Sequence, residues 1–130
     1  MSAATPLRQL PSEHVEQMRL FQWAHYARGS HPELRLLYAV PNGGARHKAV
    51  AAKLKAEGVR AGVPDVCLPV ARGGFHGLYI ELKRQRGTRP SAEQREWLMA
   101  LMDAGYRATW CPGWEAARDV IETYLRGAAA

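Results

Sequence analysis

Two cysteines in 130 residues, set on separate apolar stretches, are too few and too far apart to frame a disulfide scaffold or a Cys-x-x-Cys metal site. Cys67 and Cys111 are therefore read as small core residues of a protein kept in a reducing compartment. The five histidines (His14, His25, His31, His47, His76) never fall in the HExxH spacing, so structural or catalytic zinc lacks its usual ligands. No GxGxxG follows a strand and no Walker-type GK[ST] is present, which leaves nucleotide and dinucleotide cofactors unsupported. Long apolar runs are missing too: nothing approaches the roughly 18 residues of a membrane span. The opening MSAATPLRQLPSEH contains no apolar signal core, so neither a membrane anchor nor export is indicated and a cytoplasmic location is expected. Repeats and low-complexity linkers are also lacking. One domain over residues 12–126 is expected, with a flexible N-terminus at 1–11 and a short tail at 127–130.

What is abundant is positive charge. The net charge is +6, and much of it is grouped: RHKAVAAKLKAEGVR carries five Lys/Arg and KRQRGTR another four. Such a surface suits a polyphosphate, because each neutralised phosphate releases condensed counterions. A solvated helix face accounts for the same residues in a simpler way.

Ser12 is a candidate N-cap for a helix whose pattern runs from Val15 to Ala27, with Glu13 and Glu16 in the first turns and Gly29 as the stop. LRLLYAV (34–40) reads as a strand ended by PNGG, and ARHKAVAAKLKAEG as a helix closed by Gly58. VPDVCLPV and GLYIEL read as two strands of a hairpin joined by ARGGFHG. SAEQREWLMALMDAG predicts a helix between Ser91 and Gly105, then come the strand YRATWC and an amphipathic helix from Trp114 to about Leu125. This order predicts an α/β fold with a mixed sheet flanked by helices.

Three ionised groups sit inside these apolar strands, and charges are seldom kept there unless paired, hydrogen-bonded or on a metal. Strand alternation points Glu81 and Lys83 to one face, with Ile80 and Leu82 on the other. Hairpin pairing then brings Asp65 near Glu81. Carboxylates forced together repel unless a proton or a cation lies between them, and a hard divalent ion is the usual solution. Magnesium needs only one or two protein carboxylates, which leaves positions for phosphate oxygens and water, while Lys83 can stabilise charge that builds on phosphorus.

VPD followed sixteen residues after its Asp by ELK resembles the Pro-Asp…(Asp/Glu)-x-Lys signature of a nuclease superfamily. With PNGGARHKAVAAKLKAEGVRAGVPDV, GLYIELK, SAEQREWL and AGY beside it, the chain resembles the virus-type replication-repair nuclease (VRR-NUC) domain from about Glu13 to Leu125. The resemblance implies a restriction-endonuclease-like αβββαβ core with one inserted helix. It implies Asp65, Glu81 and the carbonyl of Leu82 as ligands of Mg²⁺, with Mn²⁺ a possible substitute, and Lys83 as the catalytic lysine. A further ligand on the first helix would be Glu13, in EHVEQ, with Glu16 as its rival one turn on. Gln94 of SAEQ would approach the site from the following helix. A homodimer acting on branched DNA such as four-way junctions, from a bacterial or phage-infected cell, is also implied, and the apolar face with Trp23 and Tyr26 is a candidate dimer surface.

Each residue has a plainer role open to it. Glu13 and Glu16 complement a helix dipole, Gln94 completes a capping box with Ser91, and Asn42-Gly43 is a common turn. Asp65, Glu81 and Lys83 would otherwise be a buried ion network, costly in desolvation. Asn42, Arg46, Lys48, Arg60, Arg84 and Arg86 are read as nucleic-acid contacts flanking the cleft, each replaceable by a solvated surface group. A catalytically silent DNA-binding module of this fold and a sequence-specific restriction or homing-type endonuclease are the competing functions.

Overall fold

The Ser12 hydroxyl accepts the Val15 N–H at 3.2 Å and opens α1, Glu13–Ala27, as the N-cap signal predicts. The computed structural model describes residues 4–41 and 48–127. Beyond α1 they form β1 (Tyr38–Ala39), α2 (Lys48–Ala56), β2 (Val66–Leu68), β3 (Leu78–Lys83), α3 (Ala92–Asp103), β4 (Arg107–Pro112) and α4 (Trp114–Leu125). Leaving out α2 and the terminal α4, the order is the expected αβββαβ.

The sheet runs β1-β2-β3-β4, antiparallel except for the parallel β3–β4 pair that α3 bridges. Its sidedness follows from the period of two. Leu78, Ile80 and Leu82 of β3, with Val66 and Leu68 opposite them, join Leu20 and Ala24 of α1 and Ala117, Ile121 and Tyr124 of α4 in the core. Each fully buried aliphatic there contributes about 1.5–3 kcal/mol from area removed from water. Tyr79, Glu81 and Lys83 point to the other side, where α3 packs.

The β2–β3 hairpin forms as predicted, and its connection contains a tight two-residue turn. Arg72 and Phe75 exchange backbone hydrogen bonds across Gly73 and Gly74, both at positive φ (56° and 89°), a geometry that glycine alone adopts without strain. Ser91 and Gln94 cap α3 reciprocally, and Gly105 follows it at φ 98°. Both cysteines are buried free thiols, and burial pushes the Cys111 thiol up to about 11. No helix among the described residues is long and apolar enough to cross a membrane.

Two expectations are corrected. LRLLYAV is not one strand: Pro32–Leu36 forms a 3-10 helix, and only Tyr38–Ala39 pairs with β2. Pro32 supplies the preset φ of a first helical turn, and Leu34 and Leu37, three apart, both turn into the core. Nor are residues 4–11, the described part of the expected flexible N-terminus at 1–11, uniformly a loose arm. Leu7–Gln9 makes a 3-10 turn, Leu10 is buried, and the Leu7 carbonyl accepts a hydrogen bond from Arg84 Nη2. Of the expected tail at 127–130, all but Gly127 lie outside the described residues.

Candidate active site

The hairpin register pairs Val66 with Ile80, so Asp65, one residue before β2, comes opposite Glu81. Asp65 is held from two sides. Its carbonyl accepts the Val40 N–H at 2.7 Å, extending the β1 pairing, and its Oδ2 accepts the Leu82 N–H at 2.8 Å. Glu81 is only 2% exposed. Gln94 Nε2 donates to its Oε1 at 2.7 Å, while its Oε2 is buried and has no hydrogen-bond partner among the described residues. Lys83 Nζ lies 3.5 Å from Glu81 Oε1 and 3.4 Å from Glu13 Oε1.

Burial pushes the Glu81 carboxyl up to about 8, with the Asp65 charge raising it further and Lys83 opposing. The Asp65 carboxyl is raised as well, first by burial; the Leu82 N–H pulls the other way. Two carboxyls that each resist ionisation and lie within hydrogen-bond reach of one another could hold a hard cation in place of a shared proton. Asp65 and Glu81 fit a divalent metal on this ground. Among the described residues no group of three His, Cys, Asp or Glu side chains is gathered in metal-binding fashion. Glu13, half exposed, is drawn to Lys83 instead, and Leu82 enters through its N–H.

Glu16, the rival to Glu13, has a separate task. It is fully buried; its Oε1 accepts the Trp114 N–H at 3.1 Å and its Oε2 the Gln85 side-chain amide at 3.1 Å. The N-cap of α4 is Gly113, which has no side chain to satisfy the first-turn N–H groups, and Glu16 supplies the missing acceptor from α1. Since Gly113 N–H also donates to the Lys83 carbonyl at 2.8 Å, this contact ties α1, the end of β3 and α4 together. Glu16→Ala is expected to lower the unfolding free energy by about 3 kcal/mol, because it leaves a buried N–H and an amide without their acceptor. Urea melts check this, and a loss below about 1 kcal/mol would refute it.

The expected nucleic-acid contacts divide. Lys48 and Arg86 are exposed. Arg60 Nη1 donates to the carbonyl of Lys55, in the last turn of α2, and to that of Val59 just after it. Arg84 is tied to Leu7, as described above. Asn42 and Arg46 lie outside the described residues. The proposed apolar face of α1 also divides: Trp23 packs against the core, while Tyr26 is 84% exposed and lines an open depression of about 410 Å³ with Met18, Phe21, Gln22 and His25.

The VRR-NUC domain family model matches residues 6–114, a span that includes Glu13, Asp65, Glu81, Lys83 and Gln94. A solved structure of a protein described as a "VRR_NUC domain protein" superposes with a TM-score of 0.77 at 29% sequence identity, covering 91% of this chain and 91% of that one. No curated protein matches.

Proposed function

The chain belongs to the VRR-NUC family, a nuclease type of the PD-(D/E)XK class, and we propose that this member is a Mg²⁺-dependent, structure-selective endonuclease that hydrolyses DNA phosphodiester bonds. The observation that carries this reading is the buried carboxyl of Glu81, set against that of Asp65 and with Lys83 Nζ 3.5 Å from its Oε1. Asp65 and Glu81 would hold the ion, with the Leu82 carbonyl and Glu13 as further oxygen donors; Mn²⁺ would serve in its place. When bound, the ion supplies Lewis-acid activation of the phosphoryl group and of a water.

The remaining work falls to the chain itself. Gln94 holds the Glu81 carboxylate in one rotamer through Oε1, which leaves Oε2 outside that hydrogen bond. Lys83, on the same face of β3 as Glu81, brings its ammonium to the side of the pair where negative charge grows during phosphoryl transfer. Its second carboxylate neighbour, Glu13, accepts part of that charge interaction and orients Nζ.

Selection by DNA shape rather than by base sequence is part of this proposal. Four-way junctions are the proposed substrate. Cutting two strands symmetrically needs two copies of a one-strand site, so the active form is proposed to be a homodimer, with the exposed Met18–Tyr26 depression on α1 offering apolar surface for it. Two free buried thiols suit a cytoplasmic location, in a bacterial or phage-infected cell.

The test is a panel of labelled linear, flap, fork and four-way DNA incubated in Mg²⁺, Mn²⁺ or EDTA. Branched substrates are expected to be cut at least tenfold faster than linear duplex in either metal, and none in EDTA. Cleavage that persists in EDTA would overturn the metal-dependent reading. No cleavage of any substrate in either metal would overturn the nuclease reading.

A further inference from the structure

A trough of about 630 Å³ opens beside Glu13, lined by Arg8, Ser12, Glu13, His14, Arg84 and Thr88. Its volume lies within the range of about 300–1,000 Å³ typical of ligand sites. Its two walls are far apart in sequence: the 3-10 turn at Leu7–Gln9 on one side and the stretch after β3 on the other. They are fitted to each other. The Leu7 side chain lies 2.7 Å from where a Cβ on Gly87 would stand, so only glycine, here at φ 91°, admits it. Arg84 then ties the walls through the Leu7 carbonyl.

The polar groups left over are mostly donors or cations. Arg8 is exposed and makes no hydrogen bond or ion pair among the described residues, and Arg84 Nε is buried without a partner among them. Ser12 and Thr88 add hydroxyls, and His14 an imidazole. The one carboxylate, Glu13, is offset by Lys83 at 3.4 Å, and that contact joins the trough to the centre at Glu81. A site with two guanidinium groups and two hydroxyls, open at its side and ending near the catalytic lysine, matches a phosphodiester chain rather than an apolar or cationic ligand.

We infer that this trough is the subsite that holds the DNA backbone next to the scissile phosphate, with Arg8 as its principal phosphate contact; the inference rests on the nuclease reading above. The N-terminal segment is then part of the substrate site. Arg8 fixes where along the strand the cut falls, and Arg84 presents it by anchoring its turn.

The test is fluorescence anisotropy with a labelled four-way DNA in EDTA, across a range of salt, using wild type, Arg8→Glu, Arg8→Lys and Arg126→Glu. Arg126 caps the far end of α4, a helix about 18 Å long, and its reversal changes net charge from +6 to +4 just as Arg8→Glu does. Arg8→Glu is expected to weaken binding at least tenfold and to lower the slope of log K against log salt by about 1, whereas Arg126→Glu costs less than threefold. Arg8→Lys should retain most of the affinity, and thermal melts of all variants should coincide. Equal losses from Arg8→Glu and Arg126→Glu, or unchanged binding by Arg8→Glu, would overturn the subsite while leaving the nuclease reading intact. Wild type that neither binds nor cuts DNA would remove both, and would show it before any variant is made.

Discussion

Lys83→Met is expected to reduce DNA cleavage by about three orders of magnitude while binding of the same substrate changes less than a few-fold. The methionine keeps the length and packing of the stem on the buried face of β3, so the fold has no cavity to absorb. What disappears is the ammonium, 3.5 Å from Glu81 Oε1 and 3.4 Å from Glu13 Oε1. Arginine should fail to rescue, because a planar guanidinium on a longer stem cannot occupy a point-charge position between two carboxylates. Single-turnover cleavage of a labelled four-way junction, with affinity measured alongside in EDTA, separates the step from binding. A variant cutting within tenfold of wild type would remove Lys83 from the chemistry.

A second large effect should appear on changing pH and metal together. The Glu81 carboxyl, raised to about 8 from an ordinary 4.5, and Asp65, raised in the same direction, hold protons more tightly in the folded state than in the unfolded chain. Their contribution to stability is therefore fully present at acid pH, below the unfolded value, and is lost as pH rises through the folded one. The metal-free protein should melt at a lower temperature at pH 9 than at pH 6. A divalent ion replaces the proton, so its stabilising effect should grow over the same interval. At a hundred times its dissociation constant the ion adds about 2.7 kcal/mol, which is about 10 °C in melting temperature for a domain of this size. Glu81→Gln should flatten the metal response and much of the pH response. Equal melting temperatures with and without Mg²⁺ at pH 9 would show that the pair holds no ion.

Much of this site is legible in the sequence because its determinants are local. Ser12 and Ser91 mark helix starts by their own hydroxyls, and alternation in LYIELK sets Glu81 and Lys83 apart from Ile80 and Leu82. The hairpin then places Asp65 by counting. The sequence offers Gln94 two roles, helix cap and active-site neighbour, and the structure gives it contacts of both kinds: Oε1 accepts the Ser91 N–H and Nε2 donates to Glu81.

The division of labour between Glu13 and Glu16 was not legible, since it depends on Trp114, 98 residues away. One signal was there to be read: Glu16, Leu20 and Ala24 fall four apart on one buried stripe, and a carboxylate on such a stripe needs a donor from another element. LRLLYAV misled because a short apolar run fits a strand and a 3-10 turn equally well until Pro32 is weighed. The N-terminal turn is not legible because its anchor, Arg84, lies 77 residues away and fits a phosphate contact equally well in sequence.

A single side chain thus closes the first turn of α3 with one end and steadies a buried carboxylate with the other. Helix fraying and loss of alignment at Glu81 are consequently the same event. The amide exchange rate at Gln94 would act as a local gauge of how often the enzyme is misassembled, long before any core residue is disturbed.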